Sequence, residues 1–169
     1  MQAKTSVEVK GEISPSTCVY TSCYCEENVW KLCEQIKEEK EQSLNEYYAV
    51  FISNDKRQVP LWMQKSAKEP LAPVVWYAEQ AIQSDRRLKK QFHRKFRVIP
   101  AEVFLRTFAS DRSHMKKANG EWIKTPPPYA PIRTAESTMN LQEFIDMTDE
   151  GEGQVMDYKT FIKSFSSAD

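Results

Sequence analysis

No long apolar run interrupts this sequence, and neither sign of charge dominates it. Lysine plus arginine and aspartate plus glutamate both number 24 in 169 residues, so no global field draws the chain toward nucleic acid or an anionic membrane. The opening "MQAKTSVEVKGEIS" lacks the apolar stretch of a secretory signal. Nothing approaches the roughly 18 apolar residues of a membrane span. The expected location is the cytoplasm, with the nucleus accessible at this size, and no nucleic-acid or membrane partner is expected. Glycine is scarce, four residues against nine prolines, and with 40% hydrophobic content this argues for a packed core over low-complexity disorder. A flexible tail is expected over residues 1–17 and a single domain over 18–169.

Cysteine is absent everywhere except "CVYTSCYCEENVWKLCEQI", where four fall within nineteen residues. A reducing compartment disfavours a disulfide framework, and Cys23 and Cys25 are too close in sequence to bridge comfortably. The spacing C-x4-C-x-C-x7-C lacks the paired knuckles of a structural zinc site, so no metal is expected. From Val29 the apolar residues Leu32, Cys33 and Ile36 recur at helical spacing, and Glu26 and Glu27 suit the first turn of a helix beginning near Cys25. Position 23 is cysteine, where a capping box would place Ser or Thr. A thiol at a helix start faces unpaired N–H groups that favour the thiolate and lower its pKa. Cys25 then reads equally as a nucleophile or as a small buried hydrophobe, whereas Cys33 reads as core.

The remaining elements are those of an α+β protein. "YYAVFIS" predicts a strand, Tyr47 to Ser53, with a returning strand over Gln58 to Gln64. "VVW" begins a further strand, and a helix follows from Tyr77 to about Gln91. "KFRVI" is a strand, and Pro100 opens the helix "AEVFLRTFA". Asn140 with Glu143 marks a helix start, and Asp157 caps the last helix, "DYKTFIKSF".

Three motifs have bland and sharp readings. "RRLKKQFHRKFR", with seven basic residues, reads as a solvated helix face more readily than as a nucleic-acid patch. "PPPY" can dock in a WW-type groove or act as a rigid connector. Asp146 to Asp157 spaces like a calcium loop with Gly151 at its sixth position, but Gly153 at the eighth and aspartate at the last depart from the pattern.

Taken in order, "CVYTSCYCEENVWKLCE", "YYAVFISNDKRQVPLW", "PVVW", "KFRVI", "FASDRSHM" and "PPPY" resemble the eukaryotic protein N-terminal glutamine amidohydrolase family. The resemblance implies a papain-like or transglutaminase-like fold and a Cys-His-Asp triad. The implied reaction turns the N-terminal glutamine of proteins into glutamate, releases ammonia and prepares the substrate for arginylation and degradation. No cofactor is implied, the partners are proteins or peptides headed by glutamine, and a monomer is expected. The cysteine before "EEN", Cys25, matches the family nucleophile. Glu26, Glu27 and Asn28 are near enough to it to bind the substrate's α-amino group, and His114 lies in a loop able to border the cleft. Relatives follow the tryptophan equivalent to Trp76 with "DYHV" and then "YDLD", which supply the catalytic histidine and aspartate. Here Trp76 is followed directly by "YAEQAIQSD". The resemblance thus implies a truncated form, by exon skipping or a gene-model error, that lacks part of the central sheet and both residues. It is expected to be inactive, and the alternative role is an interaction module using "PPPY" or the acidic "DEGEG" loop. Neither His93 nor His114 matches the family base.

Overall fold

The computed structural model describes residues 18–40, 44–59 and 85–165. Four α-helices and three strands are present among them: α1 (Cys25–Lys40), β1 (Tyr48–Ser53), β2 (Lys95–Pro100), α2 (Ala101–Thr107), α3 (Leu141–Ile145), β3 (Gln154–Asp157) and α4 (Tyr158–Phe165). The strands form an antiparallel sheet in the order β1-β2-β3, with Val50 opposite Val98 and Phe96 opposite Met156. No helix among the described residues is long and apolar enough to cross a membrane. The expected tail over 1–17, the strand beginning at Val74 and most of the expected returning strand lie outside the described residues. Residues 58 and 59 are described and are not in a strand. Asn54 shapes the turn there, its Oδ1 accepting from the N–H groups of Lys56 and Gln58 at 3.1 and 3.0 Å.

Alternation along β2 sends side chains to both faces of the sheet. Ile99 and Ala49 face a core that also takes Cys33 and Ile36 from α1, Phe104 from α2 and Phe144 from α3. Phe104 meets Phe51, Phe108 and Phe144 with ring centroids 5.6, 4.9 and 5.7 Å apart. Each such ring stabilises the fold by roughly 1.5–3 kcal/mol through burial. α1 docks through its predicted apolar stripe, and Trp30 Nε1 donates to the Leu105 carbonyl at 3.3 Å. On the other face, Phe96 stacks on Phe161 of α4 at 4.4 Å.

Three expectations need correction. The helix expected to reach Gln91 is, where described, a pair of 3-10 turns at Asp85–Arg87 and Lys90–Phe92. Asp85 takes the Arg94 backbone N–H at 2.9 Å and its Nε at 2.7 Å, a side-chain to backbone bond that closes the segment into tight turns. The basic run is accordingly not a uniformly solvated face, because Arg94 and Arg97 are both 1% exposed. Asn140 stands at the start of α3, but its amide does not cap that helix. It bridges the end of α2 instead, accepting from Ala109 N–H at 2.8 Å and donating to the Thr107 carbonyl at 2.7 Å. The amide makes two bonds there, donating to a carbonyl of the last turn and accepting from an N–H just beyond it, against the single bond a cap would make.

The calcium-like loop is filled from inside the protein. Arg97 donates to the carbonyls of Asp146 (3.1 and 2.7 Å), Thr148 (2.9 Å) and Glu152 (2.9 Å). A guanidinium satisfies buried carbonyl oxygens as a cation would, with fixed geometry. Asp157 does cap α4, accepting from Thr160 N–H at 2.7 Å.

Gly153, at φ +81°, brings the loop against β2, where an added β-carbon would overlap the Val98 carbonyl oxygen and Ile99 Cγ1. Gly120, at φ +85°, has nothing within 4 Å of that position. Alanine at Gly120 is expected to cost about 1 kcal/mol, the left-handed backbone penalty alone. Alanine at Gly153 is expected to cost roughly 1–3 kcal/mol more through overpacking. Denaturant midpoints of the two variants measure the difference.

Candidate active site

The segment before α1 is strapped to the helix it introduces. Asn28 accepts from Thr21 N–H at 2.8 Å and donates its amide to the Thr21 carbonyl at 2.9 Å. Cys23 adopts φ +69° to close the turn. Tyr24 is wholly buried, with its hydroxyl on the Lys124 carbonyl at 3.0 Å. Cys25 is thereby the first residue of α1, half-buried, while Cys33 is buried on the apolar face. All four cysteines are free thiols. No three His, Cys, Asp or Glu residues gather to hold a metal ion among the described residues.

The loop after α2 supplies the opposite wall. Arg112, itself at φ +64°, reaches Glu27 with Nε at 2.9 and 3.2 Å and with Nη2 at 2.8 Å. Its Nη1 donates to the carbonyls of Pro127 and Tyr129 at 3.3 and 3.0 Å. Glu27 is 0% exposed and Arg112 4%, so the two form a buried ion pair in which each supplies the other's counter-charge. Asp111 accepts from Ser113 N–H at 2.8 Å and shapes the turn Ser113–Met115. That turn puts His114 Nε2 3.2 Å from Glu26 Oε1.

The candidates therefore separate. Cys25, Glu26 and His114 are brought to the mouth of α1. Glu27 and Asn28 are adjacent in sequence, yet their side chains are held by Arg112 and Thr21. Arg112 was not singled out from sequence. No local signal could have found it, because a first-turn glutamate is satisfied by the helix start and only tertiary burial makes Glu27 require a cation. His93 lies elsewhere, with its Nε2 3.2 Å from the Leu88 carbonyl. Among the described residues no histidine hydrogen-bonds to the Cys25 sulfur. "PPPY" is part of the fold, with Pro127 buried and the Tyr129 hydroxyl enclosed.

The electrostatics correct the expectation of a lowered thiol pKa. Burial pushes the Cys25 thiol up and the Glu26 carboxylate adds to this, while the helix-start N–H acts in the opposite direction and does not win. Cys33, without any charged neighbour among its causes, is pushed up to about 11 by burial. The Glu26 contact raises His114 above its ordinary 6.5 against the opposing effect of burial.

Two outcomes follow from this wall. Glu26→Gln removes the carboxylate beside Cys25, so site-resolved alkylation of Cys25 by iodoacetamide near neutral pH should quicken while that of Cys33 does not. His114 has a raised folded-state pKa, so its contact with Glu26 contributes fully below about 6.5 and fades as pH rises through the raised value. An NMR titration of the His114 ring should show a midpoint above 6.5 that falls in Glu26→Gln. For the deeper pair, Arg112→Met should cost about 3–5 kcal/mol by stranding Glu27, and adding Glu27→Met should recover most of the loss. Urea melts of the single and double variants check this.

The family model described as N-terminal glutamine amidase matches residues 20–76 and 77–165. The chain is 44% identical over 188 positions to the protein N-terminal glutamine amidohydrolase of Danio rerio, covering 90% of this chain and 93% of that protein. It is 43% identical over 183 positions to the proteins of that name from Bos taurus, covering 89% and 88%, and from Homo sapiens, covering 89% of each. Alignments of 188 and 183 positions cannot be filled by a chain of 169 residues, so the relatives carry residues that this chain lacks. The family match divides between Trp76 and Tyr77, where the sequence passes directly to "YAEQAIQSD". With Cys25 opening α1 in the first matched block and the Arg112 loop in the second, the chain belongs to the protein N-terminal glutamine amidohydrolase family.

Proposed function

We propose that Cys25 is the nucleophile of a site built to hydrolyse the side-chain amide of an N-terminal glutamine on a protein, and that this chain holds the site in an arrested form. The position of Cys25 carries the reading: it is the first residue of α1, within the matched block 20–76, at the cysteine the family resemblance identifies. In the reaction the thiolate attacks the carboxamide carbon and the C–N bond breaks. Ammonia leaves with an added proton. Water then cleaves the thioester, giving glutamate and restoring the thiol. An imidazole performs both proton transfers in such chemistry, oriented by an aspartate.

Burial and Glu26 hold Cys25 toward its protonated form, and His114 is engaged by Glu26. General acid–base catalysis contributes about 10²–10⁴-fold, and loss of a cooperating triad member commonly costs more. On this reading the missing histidine and aspartate belong to "DYHV" and "YDLD", the motifs that the resemblance implies between Trp76 and Tyr77. A papain-like arrangement of the complete sheet is part of the same proposal. The reading as an interaction module has no observation in its favour, because the "PPPY" carbonyls are bound to Arg112 and the loop carbonyls around "DEGEG" are bound to Arg97.

Ammonia release from a glutamine-headed peptide is the test. The chain as it stands should give negligible turnover. Restoring the family block between Trp76 and Tyr77 should produce turnover that Cys25→Ala abolishes. A restored chain that remains silent would overturn the amidohydrolase assignment. Turnover by the present chain, lost in both Cys25→Ala and His114→Ala, would overturn the arrest.

A further inference from the structure

Three acidic or amide side chains follow Cys25, and the fold has already engaged two of them. Glu27 receives three contacts from Arg112. Asn28 uses both ends of its amide on Thr21. Glu26 is different. Its side chain is 12% exposed and its Oε1 exposes less than 1 Å². The cation at that oxygen is His114 Nε2 at 3.2 Å, itself 25% exposed. A carboxylate so withdrawn from water needs a counter-charge, and a partly exposed imidazole supplies one only while it is protonated.

Resting on the reading of Cys25 as nucleophile, we propose that Glu26 is the receptor for the α-ammonium group of the substrate's first residue, and that the ammonium takes the place of His114 at Oε1. The dimensions suit this role. In glutamine the α-nitrogen and the side-chain amide carbon are four bonds apart, about 5 Å when extended. Cys25 and Glu26 are consecutive residues at one helix mouth, so one glutamine can present its amide carbon to the first and its ammonium to the second. The chemistry discriminates as well. A free N-terminus brings a charged, three-donor group, whereas an internal glutamine brings one neutral N–H and leaves the carboxylate buried without a counter-charge. Glu26 also helps hold the Cys25 thiol protonated, so an ammonium on Glu26 weakens that hold. Recognition of the N-terminus and preparation of the nucleophile would then pass through the same carboxylate.

The test uses the full chain and measures fluorescence anisotropy of a labelled glutamine-headed peptide and its Nα-acetylated counterpart at pH 8. The free amine should bind at least about tenfold tighter, the loss of one charge-assisted contact. Glu26→Gln, which keeps the side chain's shape, should reduce that preference below about twofold. His114→Ala should tighten the free-amine peptide severalfold and leave the acetylated one unchanged. A preference that survives Glu26→Gln overturns the proposal, as does equal or absent binding of the two peptides to the unaltered chain. An alanine-headed peptide separates the two readings. If it binds as well as the glutamine-headed one and still depends on Glu26, the ammonium receptor stands and the glutamine reading falls. If glutamine is preferred but the amine preference ignores Glu26, the receptor falls and the glutamine reading stands.

Discussion

The buried pair of Glu27 and Arg112 is the constraint on which the site depends. The two residues are 85 positions apart, and their pairing fastens the start of α1 to the loop after α2. Taking both charges out of water costs several kcal/mol for each, which only close, multiply hydrogen-bonded geometry can offset. The geometry here is of that kind, with two guanidinium nitrogens on one carboxylate and the third on the carbonyls of Pro127 and Tyr129. The consequence is positional. With Glu27 fixed, Cys25 and Glu26 are fixed in the same first turn of α1, and with Arg112 fixed, His114 is delivered to Glu26 from two residues further along the loop.

Two more arginines serve the fold in related ways. Arg97 gathers the carbonyls of Asp146, Thr148 and Glu152, and Arg94 closes the turns around Asp85. The chain has long stretches without helix or strand between α2 and α3 and again before β3. Carbonyl groups in such segments need donors once buried. A guanidinium offers five donors in a fixed plane, so a single side chain can stand in for a run of backbone pairing. This is why the most basic part of the sequence, from Arg86 to Arg97, contributes two of the most deeply buried side chains.

Cys25 sits where two influences oppose each other. The helix start favours the thiolate, and burial together with Glu26 favours the thiol, which prevails. A thiol held this way is unreactive until something withdraws the proton or cancels the carboxylate.

The sequence by itself determined α1 and its start at Cys25, the strand β2, the helix after Pro100, the cap at Asp157 and the resemblance to the family. All of these rest on patterns that repeat within a few residues: the helical period from Val29 to Ile36, the β-branched run of "KFRVI", and short quoted motifs. Tertiary structure decided the rest. It paired Glu27 with Arg112, put Arg97 inside the loop whose spacing resembles a calcium site, turned the Asn140 amide away from its own helix and set the direction of the Cys25 pKa. Each of these joins groups far apart in the chain, or follows from burial that only packing creates. Local periodicity records which face of a helix is apolar. It holds no record of which distant charge will be enclosed against that face, because that choice is made by the free energy of the assembled interior.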